Sequence, residues 1–237
     1  MKEVIIHSDT GITLVGGGEI GPGDMSLALR LAPMLVAVDG GAGAALAGGH
    51  GVHAVIGDFD SLTPRDRARI PADRLHLIAE QDSTDFEKAL RSVSAPVILA
   101  VGFLGGRLDH QLAAFNGLTR FPDMRCILIG ATEIVFHLPP SLSLGLAAGD
   151  VVSLFPMAPV AGRSQGLKWP IDGLALEPAG RIGTSNRALG EVRLETDGPG
   201  LLAILPRAAI ESVITPLARS RCHAPAGQPD APRPARA

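Results

Sequence analysis

Short apolar runs ending in glycine alternate with helix-like stretches through the first part of the chain. Ile12 to Val15 ends in Gly16-Gly17-Gly18, and a helical stretch follows around Met25 to Leu31. Leu35 to Val38 ends in Asp39-Gly40-Gly41, ahead of an Ala-rich helix. Ala54 to Ile56 ends in Gly57-Asp58. Leu75 to Ile78 precedes an acidic loop and a helix from about Asp85 to Val93. Val97 to Val101 ends in Gly102, a helix runs from about Leu108 to Leu118, and Ile127 to Ile129 ends in Gly130. Strand, glycine and helix recurring in this way predict an α/β fold with a largely parallel sheet. Such sheets bind ligands beyond the carboxyl ends of their strands, where the Gly and Asp clusters fall.

After Pro139 the helical period fades. Asp150 to Phe155, Leu174 to Leu176, Glu191 to Glu195 and Leu201 to Leu205 are short β-like runs separated by Gly and Pro. They predict a C-terminal antiparallel β-sandwich domain. From Leu217 the chain is rich in Ala, Pro and Arg with little apolar period, so it is expected to be a disordered tail. The expected partition is therefore 1–138, 139–216 and 217–237.

Composition narrows the function classes. A formal net charge of only -3 offers no broad attraction to nucleic acid or to an anionic membrane. One Trp, seven Phe and no Tyr leave too few rings for a single-strand stacking platform. No apolar run reaches membrane-spanning length and the N-terminus lacks a secretory pattern, so the protein is expected to be cytoplasmic. Cys126 and Cys222 have no metal-ligand spacing; Cys126 sits in an apolar run and is expected to be buried.

Three segments carry candidate chemistry. In Gly57-Asp58-Phe59-Asp60-Ser61, two carboxylates one residue apart at a strand end suit Mg2+ beside phosphate oxygens, or else form a polar turn. In Gln81 to Leu90, Ser83 or Thr84 caps a helix. Asp85 and Lys88 on that helix are either a solvated pair or a third metal-facing carboxylate and a phosphate-binding lysine. In Gly102 to Gln111, a glycine pair allows close backbone approach and Arg107 can fork onto phosphate. Asp109 and His110 in that segment can orient or accept a proton. Further on, the single Trp, Trp169, is either a core or interface residue or a stacking surface for a flat cationic ring. Thr184-Ser185-Asn186 offers hydrogen-bonding groups or a turn.

Taken in order, six stretches resemble the thiamine pyrophosphokinase family. They are Asp39-Gly40-Gly41-Ala42, Gly57 to Ser61, Gln81 to Leu90, Gly105-Gly106-Arg107-Leu108-Asp109-His110, Gly166-Leu167-Lys168-Trp169, and Ser185-Asn186. Six short motifs in the right order are far more specific than any one. The resemblance implies an ATP-binding catalytic α/β domain and a thiamine-binding β-sandwich domain. It also implies a homodimer with active sites at the subunit interface and Mg2+ as cofactor. By the same resemblance Asp58, Asp60 and Asp85 are the Mg2+ ligands. Gln81, Lys88 and Arg107 become diphosphate contacts, and Asp39, Gly40, Gly41 and Ala42 contact the nucleotide. Trp169 would stack on thiamine, with Gln81, Ser185 and Asn186 in the same pocket. Asp109 is the candidate for orienting or deprotonating the acceptor hydroxyl. Two alternatives stay open: a pyrophosphokinase for another small alcohol such as a hydroxymethyl-pterin, and a non-catalytic nucleotide or thiamine sensor.

Overall fold

Five nearly continuous apolar runs become strands buried on both faces, which is why they read as uninterrupted hydrophobic blocks. The computed structural model describes residues 4–223. In chain order the first elements are β1 (Ile6–His7), β2 (Ile12–Val15), α1 (Asp24–Leu31), β3 (Met34–Val38), α2 (Gly41–Ala47) and β4 (Ala54–Gly57). They continue with α3 (Pro64–Arg67), β5 (Leu75–Leu77), α4 (Asp85–Ser92), β6 (Val93–Ser94), β7 (Ile98–Val101), α5 (Leu108–Arg120) and β8 (Cys126–Ile129). Strands lie in the order β8-β7-β2-β3-β4-β5, all parallel. Phe86, Ala89 and Leu90 of α4 and Ala114 and Leu118 of α5 cover one face, against Leu14, Val36 and Ala100. Ala28 of α1 and Ala42 and Ala45 of α2 cover the other, against Val15, Leu35 and Val55.

The strand order reverses direction between β2 and β7. The chain first builds outward through β3, β4 and β5, then returns to place β7 on the opposite side of β2. The loops leaving β2 and β7 therefore diverge at a topological switch point, where a crevice opens. Here Gly16 and Gly102 cross so closely that a Cβ on either would fall about 2.5 Å from the other's carbonyl oxygen. Gly18 N–H donates to the Gly102 carbonyl at 2.9 Å.

The second lobe comprises β9 (Glu133–His137), β10 (Ser141–Leu144), β11 (Val151–Pro156), β12 (Val160–Leu167), β13 (Ala175–Leu176), β14 (Gly183–Thr196), β15 (Leu201–Pro206) and α6 (Ile210–Arg219). All strand pairings in it are antiparallel. The 14-residue β14 pairs with β11 through its first residues and with β12 and β10 through the rest, so it serves two layers. Leu142, Leu144, Val152, Leu154, Leu167 and Leu194 fill the space between them. No gap separates the lobes. Strand β9 pairs with β8 on one side and β15 on the other, making one thirteen-stranded sheet through the expected 138/139 boundary. Arg207 braces the join. It donates to the Gly130 carbonyl at 2.9 Å and lies 2.5 Å from buried Asp24, an ion pair whose angle makes no hydrogen bond.

The expected tail needs correction at its start. Leu217 completes the buried stripe of α6 with Ile210 and Val213, and helix continues to Arg219. Pro216 inside that helix, a residue costing about 3 kcal/mol in a helix interior, concealed the period. His223 is also buried, bonding through Nε2 to the Leu138 carbonyl at 3.0 Å. Residues 224–237 of the expected tail lie outside the described residues. Cys126 is buried as expected. No helix among the described residues is long and apolar enough to cross a membrane.

His137 gives the fold a pH dependence. Its Nε2 accepts from Gly200 N–H at 2.8 Å, and its buried Nδ1 has no hydrogen-bond partner among the described residues. Burial, then the neighbouring His223, push its pKa down to about 4. Between 6.5 and 4 the unfolded chain therefore binds more protons than the folded one. Stability is full above 6.5 and falls as the pH drops toward 4, by roughly 3 kcal/mol from this group. Urea unfolding at pH 7 and 4.5 should show that loss in the wild type and a smaller one in His137→Leu.

Candidate active site

Strands β3 and β4 end side by side, and each delivers an acidic turn. Asp39 leaves β3 with a left-handed φ of 45°, its N–H donating to the Ile56 carbonyl at 2.9 Å. Gly57 ends β4 at φ 155°, where a Cβ would sit 2.9 Å from the Asp39 Cβ, so only glycine admits this approach. Phe59, at φ 66°, then reverses the chain between Asp58 and Asp60. Asp39, Asp58 and Asp60 each offer an oxygen within 4.8 Å of the others.

Asp39, expected from the sequence as a nucleotide contact, completes this group of three, and Asp85, expected as the third ligand, lies outside it. Asp85 faces the same cleft, but its Oδ1 accepts from Lys88 Nζ at 2.9 Å, and Lys88 also donates to Asp58 Oδ2 at 3.2 Å. The pair is not solvated, as the plainer sequence reading had it: Lys88 is 1% exposed. Burial by itself pushes the Lys88 pKa down, but its bonds to Asp85 and Asp58 outweigh that and leave it raised. Thr84 caps α4 in a capping box with Glu87, and buried Glu87 pairs with Arg120 of α5 at 2.7 Å.

The three carboxylates fit a divalent cation on their own chemistry. Hard oxygens from two strand ends converge, and buried Asp39 Oδ1 has no hydrogen-bond partner among the described residues. Burial raises the Asp39 pKa, with Ser61 and Gly40 opposing and the charges of Asp85 and Asp60 adding to the rise. A cation there would relieve that cost. The Asp58 carboxyl is held below its ordinary range, first by the Asp60 N–H and then by Lys88.

A cleft of about 790 Å³ opens at the switch point. Gly16 to Gly18, Asp39, Gly40, Asp85, Arg107 and His110 line it, so the nucleotide, lysine-helix and arginine-loop motifs converge. Gly41 and Ala42 are buried at the start of α2 behind it. Arg107 forks onto Asp109 through Nε at 3.1 Å and Nη2 at 2.6 Å, both side chains exposed. That bond raises the arginine pKa and lowers the aspartate one. The sequence reading gave no role to Glu19 or to the Phe86–Phe103 ring pair, 4.6 Å between centroids, which also line the cleft. A glycine-rich strand end marked Glu19; the ring pair joins α4 to the β7 loop and left no local signal.

Gln81 donates to Asp58 Oδ2 at 3.3 Å and borders a second cavity of about 530 Å³ between the start of α4 and α5. Trp169 is elsewhere. It is 53% exposed, with Lys168 Nζ 4.7 Å above one ring face. Asn186 is 6% exposed, and its side chain is used internally. Its Oδ1 accepts from the N–H of Trp169 and its Nδ2 donates to the Trp169 carbonyl at 2.6 Å. These bonds shape the Trp169 turn. Ser185 and Asn186 lie in β14, and Ser185 takes a left-handed φ of 61°. Neither cavity is lined by any described residue beyond Arg120.

Residues 26–129 match the family model for the thiamin pyrophosphokinase catalytic domain, and residues 135–201 match that for its vitamin B1 binding domain. The chain belongs to the thiamin pyrophosphokinase family. Among relatives in the family, it is 31% identical to thiamine pyrophosphokinase 1 of Oryza sativa subsp. japonica over 161 residues, 60% of this chain and 61% of that one. It is 30% identical to thiamin pyrophosphokinase 1 of Caenorhabditis elegans over 151 residues, 56% and 61% of the two chains. The chain thus spans about three fifths of the length of these curated relatives. The fold matches thiamin pyrophosphokinase from Candida albicans with TM-score 0.70 at 17% identity, covering 86% of this chain and 93% of that one. It matches the family structure from Geobacillus thermodenitrificans with TM-score 0.68 at 24% identity, covering 83% and 97%.

Proposed function

We propose that this chain transfers the pyrophosphoryl group of ATP to the hydroxyl of thiamine, giving thiamine diphosphate and AMP. The observation that carries the reading is the meeting of three carboxylates and a buried lysine at one lip of the switch-point cleft. In the transfer, the thiamine hydroxyl oxygen bonds to the β-phosphorus as the bond from that phosphorus to the α–β bridging oxygen breaks, and the hydroxyl proton is released to solvent. AMP leaves with the bridging oxygen. Asp39, Asp58 and Asp60 would hold Mg2+, which when bound supplies positive charge beside the phosphate oxygens. Lys88 fixes Asp58 and Asp85 and adds a buried positive charge behind them. Arg107, on a flexible glycine pair, reaches phosphate by opening its fork on Asp109. Asp109, with its lowered pKa, is a poor base; aiming Arg107 is its better-supported part.

The acceptor is placed in the second cavity, with Gln81 between it and the acidic cluster. No described residue of the β lobe lines that cavity, and Trp169 is exposed, so the stacking ring would come from a second copy in a homodimer. We place the reaction in the cytoplasm, where ATP is supplied. Purified protein incubated with ATP, Mg2+ and thiamine should yield AMP and thiamine diphosphate in equal amounts by mass spectrometry. Binding without AMP release would point to a sensor, and transfer to a hydroxymethyl-pterin in preference to thiamine would change the acceptor.

A further inference from the structure

Ser61 follows the acidic turn directly and touches two of its three carboxylates. Its N–H donates to Asp39 Oδ2 at 3.3 Å, and its hydroxyl donates to Asp60 Oδ1 at 2.8 Å. Asp39 belongs to the end of β3 and Asp60 to the turn after β4, so the contact spans two strand ends. The remaining orientation of the group is set by other means. Asp58 is fixed through Lys88, Gln81 and the Asp60 N–H. Among the described residues, the Ser61 hydroxyl is the hydrogen-bond donor to the exposed Asp60 carboxylate.

We infer that Ser61 is a positioning residue whose hydroxyl aims the Asp60 carboxylate at the point shared with Asp39 and Asp58. Ser61 touches no reacting atom and acts through two carboxylates, so it sets how well the group holds a cation. Groups that orient metal ligands typically contribute about 10- to 100-fold in affinity. The inference rests on the metal reading of the three carboxylates.

The test is Mn2+ binding to the full chain, followed by the electron paramagnetic resonance signal of the free ion, without substrates or turnover. Wild type, Ser61→Ala and Asp39→Asn are compared, with thermal midpoints alongside. Ser61 is on the surface, so Ser61→Ala is expected to keep the wild-type midpoint and bind Mn2+ about tenfold more weakly. Asp39→Asn is expected to lose binding. If Asp39→Asn loses binding while Ser61→Ala stays within twofold of wild type, the role of Ser61 is overturned and the metal reading stands. Should wild type bind no Mn2+, or Asp39→Asn bind it as wild type does, the metal reading falls and takes this inference with it.

Discussion

Asp58→Ala is expected to lower turnover by about a thousandfold, roughly 4 kcal/mol of transition-state stabilisation, while the chain stays folded. The carboxylate has three jobs that alanine cannot do. Its Oδ1 accepts from the Asp60 N–H at 3.3 Å, which holds the acidic turn closed. Its Oδ2 accepts from Gln81 and from Lys88. It also offers an oxygen within 4.8 Å of oxygens of Asp39 and Asp60. Removing it leaves two carboxylates for the cation and leaves Lys88 with Asp85 alone. The variant should also lose an acid-dependent share of stability. The Asp58 pKa is depressed on folding, so its contribution is present above the ordinary carboxylate value of 3.8 and lost as the pH falls through the lower folded value. Rates of AMP release across a Mg2+ titration check the first expectation. Near-normal turnover at limiting Mg2+ would remove Asp58 from the site.

Lys88→Met should separate charge from packing at the same place. Methionine fills the buried stem of the lysine but carries no cation. Asp58 then loses the Lys88 bond that helps hold its pKa down, so the acidic limb of the kcat/KM profile should move to higher pH. Turnover at neutral pH should fall about a hundredfold or more, because Asp58 and Asp85 lose the buried positive charge that fixes them beside the cleft. The stability cost should be modest, about 1–2 kcal/mol. Both carboxylate side chains keep some water, 15% and 32% exposed, so neither is stranded as an uncompensated buried charge. The pH profile and urea unfolding measured on one preparation check the two parts. An unmoved acidic limb with an unchanged rate would mean that Lys88 has no part in the chemistry.

The parallel half of the fold was legible because its strands are buried on both faces and so read as unbroken apolar runs. β12 and β14 were harder to see. Val160 to Leu167 contains Gly162, Arg163 and Gln165, and β14 carries Asn186, Arg187 and Arg193 on faces that are exposed or internally bonded. Alternation broken by a strand that changes layer midway does not look like a single element. In the site, the aspartates after β4 and the capped helix with Lys88 were local signals. Asp39 as the third carboxylate was not, because its place is set by β3 and β4 lying side by side. The burial of Lys88 and the internal use of Asn186 are likewise products of tertiary packing that no spacing along the chain encodes.

The unbroken sheet has a mechanical consequence. Strand β9 is bonded on both edges, and Arg207 clasps Gly130 and Asp24 across the same seam. Rocking one lobe against the other would shear a row of ladder bonds at once, so the seam behaves as a plate and not as a hinge. Under the proposed reaction, any closure on a ligand would then fall to side chains and loops at the cleft, such as Arg107 on its fork with Asp109, and not to the seam.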